Sequence, residues 1–106
     1  MISNFEIDWS EQLVIATSAS DASVTIPVPK PIGLGSNPRA SADVYWLMMV
    51  SGNPAYININ AVATSANASM PVGTVLPLRY PPGTVVHALE NGGAGTVSLV
   101  RCFPVV

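Results

Sequence analysis

Few side chains in this chain of 106 residues could do chemistry. It has one histidine, His87, and one cysteine, Cys102. Four of the six acidic residues fall within positions 6–21, while Asp43 and Glu90 stand alone. A nucleophilic triad needs a Ser or Cys beside a His and a carboxylate, and metal sites usually need clusters of His, Cys, Asp or Glu. No Gly-x-Ser-x-Gly elbow is present. The sequence therefore predicts no enzyme, no catalytic residue, no metal and no cofactor.

The low charge content is the most informative feature of the composition. Only 9% of residues are charged, against about 25% in an average soluble domain, whereas 49% are hydrophobic and the mean hydropathy is +0.44. A small domain has much surface for its volume and should need more charge than average. Either Ser, Thr, Asn and Ala cover the surface, or much of it is buried against other subunits. The sequence supports both explanations.

The sequence predicts neither a membrane partner nor a nucleic-acid partner. The longest charge-free apolar run, residues 44–50, is far shorter than the roughly 18–20 residues that span a bilayer. The start of the chain is acidic and lacks the basic region of a secretory signal, which predicts synthesis in the cytoplasm. The net charge is −2, and the basic residues are too scattered to neutralise a phosphate backbone. They are Lys30, Arg39, Arg79 and Arg101.

The strand pattern predicts an all-β fold. Short runs rich in Val, Ile, Leu and Thr are separated by Gly, Pro, Asn and Ser, and no amphipathic helix of useful length is present. Residues 12–17 predict a buried strand and residues 22–28 a half-buried one, whereas residues 43–50 are apolar on both faces and must be covered on both. About eight short strands in one domain, residues 11–106, predict an antiparallel β-sandwich or a jelly-roll-like barrel.

The last third of the chain predicts an antiparallel meander. Three strand-like runs, residues 74–80, 84–90 and 96–103, are separated by the turns Pro81-Pro82-Gly83 and Asn91-Gly92-Gly93-Ala94-Gly95. Short turns of this kind join strands that are neighbours in one sheet.

Four segments are candidates for contact with a partner. Residues 1–10 place Phe5, Ile7 and Trp9 on one side of an extended strand and acidic or polar residues on the other, as in an edge strand or an arm that joins a neighbour's sheet. Residues 29–42 form a long Pro/Gly-rich loop, of a length usual for functional or disordered segments. The strand at 43–50 could face a subunit or be ordinary core, and the apolar end of the chain predicts a docked tail. The candidate interface residues are Phe5, Ile7, Trp9, Pro29, Pro31, Ile32, Leu34, Tyr45, Trp46, Met48, Phe103, Val105 and Val106.

Residues 55–63 allow a different interpretation. Their alternation places Tyr56, Asn58 and Asn60 on the outward side of a strand. Such a row could bind carbohydrate, or it could be a polar strand with no ligand.

Three turn motifs resemble those of a known group of proteins. Met70-Pro71-Val72-Gly73-Thr74, Tyr80-Pro81-Pro82-Gly83-Thr84 and Gly92-Gly93-Ala94-Gly95-Thr96-Val97 are similar to the C-terminal halves of small tailed-bacteriophage structural proteins. The resemblance implies a capsid decoration or cement protein, β-rich and without an active site. It implies a homotrimer on the capsid surface that contacts the major capsid protein across subunit junctions. Two alternatives stay open: another virion part (a head fibre base, a tail module or a head–tail joining protein), and a carbohydrate-binding module.

Overall fold

The computed structural model describes residues 4–27 and 45–105, with side chains described for residues 12–27 and 45–102. These residues form eight strands and no helix, which confirms the all-β prediction. The strands are β1 (Asn4–Ala16), β2 (Ala22–Thr25), β3 (Tyr45–Ser51), β4 (Ala55–Ile59), β5 (Ser69–Met70), β6 (Val75–Leu78), β7 (Val85–Glu90) and β8 (Thr96–Val105). The candidate contact residues Pro29, Pro31, Ile32, Leu34 and Val106 lie outside the described residues.

The strands form two antiparallel four-stranded sheets that pack face to face. Sheet 1 has the order β1-β8-β3-β6 and sheet 2 the order β2-β7-β4-β5. Apart from the step from β4 to β5, each consecutive pair of strands is divided between the two sheets. This is the strand order of an eight-stranded jelly roll, which is a sandwich of two four-stranded sheets, so the predicted architecture is confirmed.

The predicted meander at the end of the chain is wrong. β6 pairs with β3 in sheet 1, β7 pairs with β2 and β4 in sheet 2, and β8 returns to sheet 1 between β1 and β3. The Pro81-Pro82-Gly83 turn is held by β2 rather than by a hairpin partner, since the amide of Gly83 donates to the carbonyl of Ile26 at 2.8 Å. Changing sheets at each turn lets both β7 and β8 bury one face in the same core.

The core lies between the two sheets. Ten buried residues form it: Ile15, Ile26, Trp46, Met48, Val50, Ala55, Val86, Ala88, Val97 and Leu99. Trp46 and Met48 are each only 1% exposed. For these two candidate interface residues the structure therefore selects the core alternative, because their strand turns them toward the opposite sheet.

β1 is one long edge strand of sheet 1. Its pairing with β8 is interrupted between Ile7 and Gln12 and then continues to Ala16. Residues 4–7 pair with β8 of the same chain. The second half is half-buried rather than buried as predicted, because Ile15 is 2% exposed and Val14 is 51% exposed. An edge strand on one face of a core buries only alternate side chains.

Two turns meet at Gly95. The amide of Gly95 donates to the hydroxyl of Thr17 at 2.8 Å, and the amide of Thr17 donates back to the Gly95 carbonyl at 3.0 Å. Asn53 of the β3–β4 turn donates from Nδ2 to the carbonyl of Ala94 at 2.8 Å. A Cβ at position 95 would lie 2.7 Å from both the Asn53 nitrogen and the Ser51 carbonyl oxygen. Only glycine fits this crossing without backbone movement.

Candidate functional site

The only histidine, His87, is paired with Asp21. Nδ1 of His87 lies 2.9 Å from Oδ2 of Asp21, and because a carboxylate only accepts, Nδ1 carries the proton in this bond. The other oxygen, Oδ1, accepts the amide of Ala63 at 2.9 Å. The carboxylate thus joins the start of β2, the middle of β7 and the β4–β5 connection. No local pattern in the sequence indicates this pair, since the two residues are 66 positions apart.

The pKa of the Asp21 carboxyl lies below its ordinary value of 3.8. Burial raises the pKa, but the hydrogen bonds from His87 and from the Ala63 amide, together with the charge of His87, outweigh it. A carboxylate stabilised in this way cross-links the sheet face at neutral pH.

Replacing Asp21 with Ala should lower the free energy of unfolding by about 2 kcal/mol at neutral pH, because two hydrogen bonds to a charged acceptor are lost. The folded pKa is lowered, so the contribution is present above pH 3.8 and disappears as the pH falls through the folded value. Urea denaturation of both proteins at several pH values measures this. The difference should become smaller in acid, whereas Ser23→Ala, an exposed neighbour on the same face, should leave stability nearly unchanged at every pH. A difference that is independent of pH would contradict the assignment.

In the part of the chain that the structure describes, the Asp21–His87 pair and Cys102 do not belong to a larger cluster of reactive side chains. No cluster of three or more His, Cys, Asp or Glu side chains occurs among those residues. Cys102 is 0% exposed, and burial raises the pKa of its thiol to about 11. It therefore stays a neutral thiol at physiological pH, buried in sheet 1, while His87 lies in sheet 2.

The outer face of sheet 1 is the most unusual surface of the molecule. Residues directly opposite each other in an antiparallel pair share a face. Leu47 pairs with both Val100 and Pro77, and Met49 with both Ser98 and Val75. The alternate residues of these strands point into the core, so these point away from it. The described members of this face are Gln12, Val14, Tyr45, Leu47, Met49, Val75, Pro77, Ser98, Val100 and Cys102.

None of these ten side chains is charged, and most are apolar. Val75 is 59% exposed and Val14 51% exposed, at opposite edges of the sheet. Leu47 and Met49, on the strand between, are half-buried. Antiparallel sheets with a solvated face normally alternate hydrophobic and polar residues. This sheet does not. Val100 and Cys102, on the central strand β8, are only 2% and 0% exposed, so this part of the face is already covered within the chain. The exposed apolar edges of the face, at Val14 and Val75, are suited to contact with another surface.

The outer face of sheet 2 mixes polar and apolar side chains. His87 stands between Ser23 on β2 and Asn58 on β4 in one row across the sheet. The next row toward the end of β7 carries Leu89 and Tyr56. The side chains on the two outer faces thus differ in polarity. The β-strand propensities of the individual residues do not explain this difference.

Of the remaining candidate interface residues, only Tyr45 has a described side chain. Tyr45 lies on the outer face of sheet 1, half-buried and opposite Cys102. The remaining candidates within the described backbone belong to β1 or β8, the two strands on one side of this sheet, but their side chains are outside the described set. They are Phe5, Ile7, Trp9, Phe103 and Val105.

Seven apolar members of this face were not among the candidates from sequence: Val14, Leu47, Met49, Val75, Pro77, Val100 and Cys102. The apolar character of residues 43–50 on both faces was a usable signal for Leu47 and Met49. No local signal marked Val14 or Val75, because an apolar residue in a short strand is expected to face the core.

An apolar groove of about 210 Å³ opens on a different side, between β6 and the β4–β5 pair. Leu76, at its rim, is 38% exposed, and burial raises the pKa of the Tyr80 hydroxyl. The groove is smaller than most small-molecule sites. Its lining is Met48, Ile57, Asn58, Ile59, Met70, Leu76, Leu78 and Tyr80.

The polar groups of the possible carbohydrate strip are engaged with the backbone. Asn58 donates from Nδ2 to the Val62 carbonyl at 3.1 Å and accepts the Ile59 amide at 2.9 Å. Asn60, with a φ of 60°, accepts the amide of Val85 at 2.8 Å. These two asparagines shape the end of β4, so the structure gives the carbohydrate hypothesis no support.

Comparisons with models of known protein families, with curated proteins and with solved structures found no match. A search of the described residues for a helix long and apolar enough to cross a membrane found none.

Proposed function

We propose that this protein is a non-enzymatic structural component of a phage virion, a capsid decoration or cement protein that stabilises the shell across subunit junctions. The observation that carries this proposal is the outer face of sheet 1, whose described side chains carry no charge, set against an outer face of sheet 2 that holds Ser23, His87 and Asn58. A protein that docks permanently by one side needs this asymmetry, because one sheet faces a partner and the other faces water.

Two further features support the proposal. Jelly rolls occur in viral capsid domains, although lectins and cupins share the architecture, so this support is an analogy of fold. The three turn motifs that resemble phage structural proteins coincide with the turns that join β5 to β6, β6 to β7 and β7 to β8. They therefore belong to the connections that define the sandwich.

The size of the face indicates how docking would work. Four strands spaced about 4.8 Å apart, over five residues of about 3.4 Å each, give a flat area of roughly 320 Å². The area open to a partner is smaller, because Val100 and Cys102 are already buried within the chain. A stable complex usually buries about 800 Å² on each partner. One copy of this face would bind the shell weakly. The entropy lost on association and on ordering of side chains offsets much of the free energy gained by burying apolar surface. A homotrimer presenting three faces to the shell would bind far more tightly through effective concentration.

The copy number of this chain in particles purified from its source tests the proposal. Quantitative mass spectrometry should give a number comparable to that of the major shell protein. A handful of copies per particle would instead indicate a portal, tail or fibre part, which is the alternative within the virion class. Absence from the particles would overturn the virion proposal.

A further inference from the structure

The turn between β7 and β8 begins with an Asn-Gly pair, the only one in the chain. Asn91 directly follows the last residue of β7, and Gly92 is exposed with a φ of +83°. Nothing lies within 4 Å of the position that a Cβ on Gly92 would take. Within the described parts of the chain, the Gly92 amide takes part in no hydrogen bond. The amide is therefore available to react with the side chain before it.

We propose that Asn91 is a site of spontaneous covalent modification, in which the folded turn converts itself from amide to acid. The backbone nitrogen of Gly92 loses its proton and bonds to Cγ of Asn91, the Cγ–Nδ2 bond breaks, and ammonia leaves. Water then opens the resulting five-membered imide at either carbonyl, leaving aspartate or isoaspartate. No oxidant or enzyme is needed, because the net change is hydrolysis of an amide.

The other asparagines whose side chains the structure describes are less suited to this reaction. Asn53 precedes Pro54, which has no amide proton to lose. Asn58 and Asn60 precede larger residues, and their side-chain oxygens accept backbone amides. Asn67 likewise precedes Ala68 and accepts the amide of Thr64 at 2.7 Å. We therefore expect Asn91 to react before the other asparagines, because it is followed by Gly92, which has no side chain to hinder ring closure.

Two hydrogen bonds hold Asn91, and only one of them involves its side chain. The backbone amide donates to the Pro54 carbonyl at 3.1 Å, which leaves the side chain free to turn. Its Nδ2 donates to the hydroxyl of Ser69, on β5, at 2.8 Å, and this bond must break before Cγ can turn toward the Gly92 nitrogen. A net hydrogen bond is worth about 1 kcal/mol, which corresponds to about fivefold in rate. Ser69 therefore acts as a positioning residue that slows the reaction.

The modification would change the edge of sheet 2. It places a new carboxylate beside Glu90 and removes the donor that ties the turn to Ser69. β5 has only two residues and pairs with β4 through Ala55–Met70 and Tyr56–Ser69. Because Met70 lines the apolar groove, loosening β5 would widen that groove. This inference does not depend on the proposed virion function.

The test follows the folded, full-length protein during prolonged incubation in mildly alkaline buffer. Peptide mapping by mass spectrometry, with separation of the aspartate and isoaspartate forms, should find Asn91 modified before any other asparagine. Ser69→Ala should speed the reaction about fivefold, and Asn91→Gln, whose longer side chain closes a ring less readily, should stay an amide. Circular dichroism confirms that each variant is folded.

Either of two results would overturn the proposal. In the first, another asparagine of the folded chain reacts before Asn91. In the second, Asn91 stays intact while a synthetic peptide of residues 88–95 converts under the same conditions. An unchanged rate in folded Ser69→Ala would overturn the positioning role of Ser69.

Discussion

Gly95→Ala should lower the free energy of unfolding by about 3 kcal/mol, the largest single-residue effect on stability that we expect. The added Cβ would sit 2.7 Å from the nitrogen of Asn53 and from the carbonyl oxygen of Ser51. Both atoms are backbone, so no side chain can rotate to make room. Relief requires the β3–β4 turn to move away from the start of β8, and this would also strain the paired bonds between Gly95 and Thr17.

A matched substitution separates crowding from backbone conformation. Gly73 has a φ of +91° and nothing within 4 Å of its absent Cβ, so Gly73→Ala meets only the cost of a left-handed conformation, about 1 kcal/mol. Denaturant unfolding of the two variants and the parent protein measures both costs. Equal losses at the two positions would show that the contact at Gly95 is not restrictive.

Val75→Lys on the outer face of sheet 1 should weaken docking to the capsid at least tenfold, an effect of about 1.4 kcal/mol or more. An ammonium group buried against an apolar partner without a counter-charge is strongly unfavourable. Val75 is 59% exposed in the isolated chain, so its replacement should change the stability of the monomer by no more than about 0.5 kcal/mol. Val14→Lys, at the opposite edge of the same face, should behave in the same way.

Val62→Lys is the matched control. Val62 is 60% exposed, in the β4–β5 connection of the other sheet. Co-sedimentation of each purified variant with shells stripped of the native protein compares all three. We expect Val62→Lys to bind like the parent protein. Normal binding by both Val75→Lys and Val14→Lys, or an equal loss in Val62→Lys, would exclude the outer face of sheet 1 as the docking surface.

The candidate surface could be predicted only in part. The pattern at residues 43–50 indicated a strand covered on both sides, and the structure places Leu47 and Met49 outward and Trp46 and Met48 inward. Which set faced the core could not be decided from the strand itself, because both sets are apolar. The position of the opposite sheet decides it.

The local sequence pattern was enough to predict that this chain is all β, roughly where its strands and turns lie, and how side chains alternate along β2 and β7. These features depend on neighbours in the chain: Gly, Pro and Asn end strands, and branched residues alternate with period two. The tertiary structure alone decided that β6, β7 and β8 alternate between two sheets, that Asp21 meets His87, and that Gly95 must lack a side chain. Each of these depends on contact between residues far apart in the chain, and a strand's local pattern says which of its faces is apolar but not which strand it will pair with.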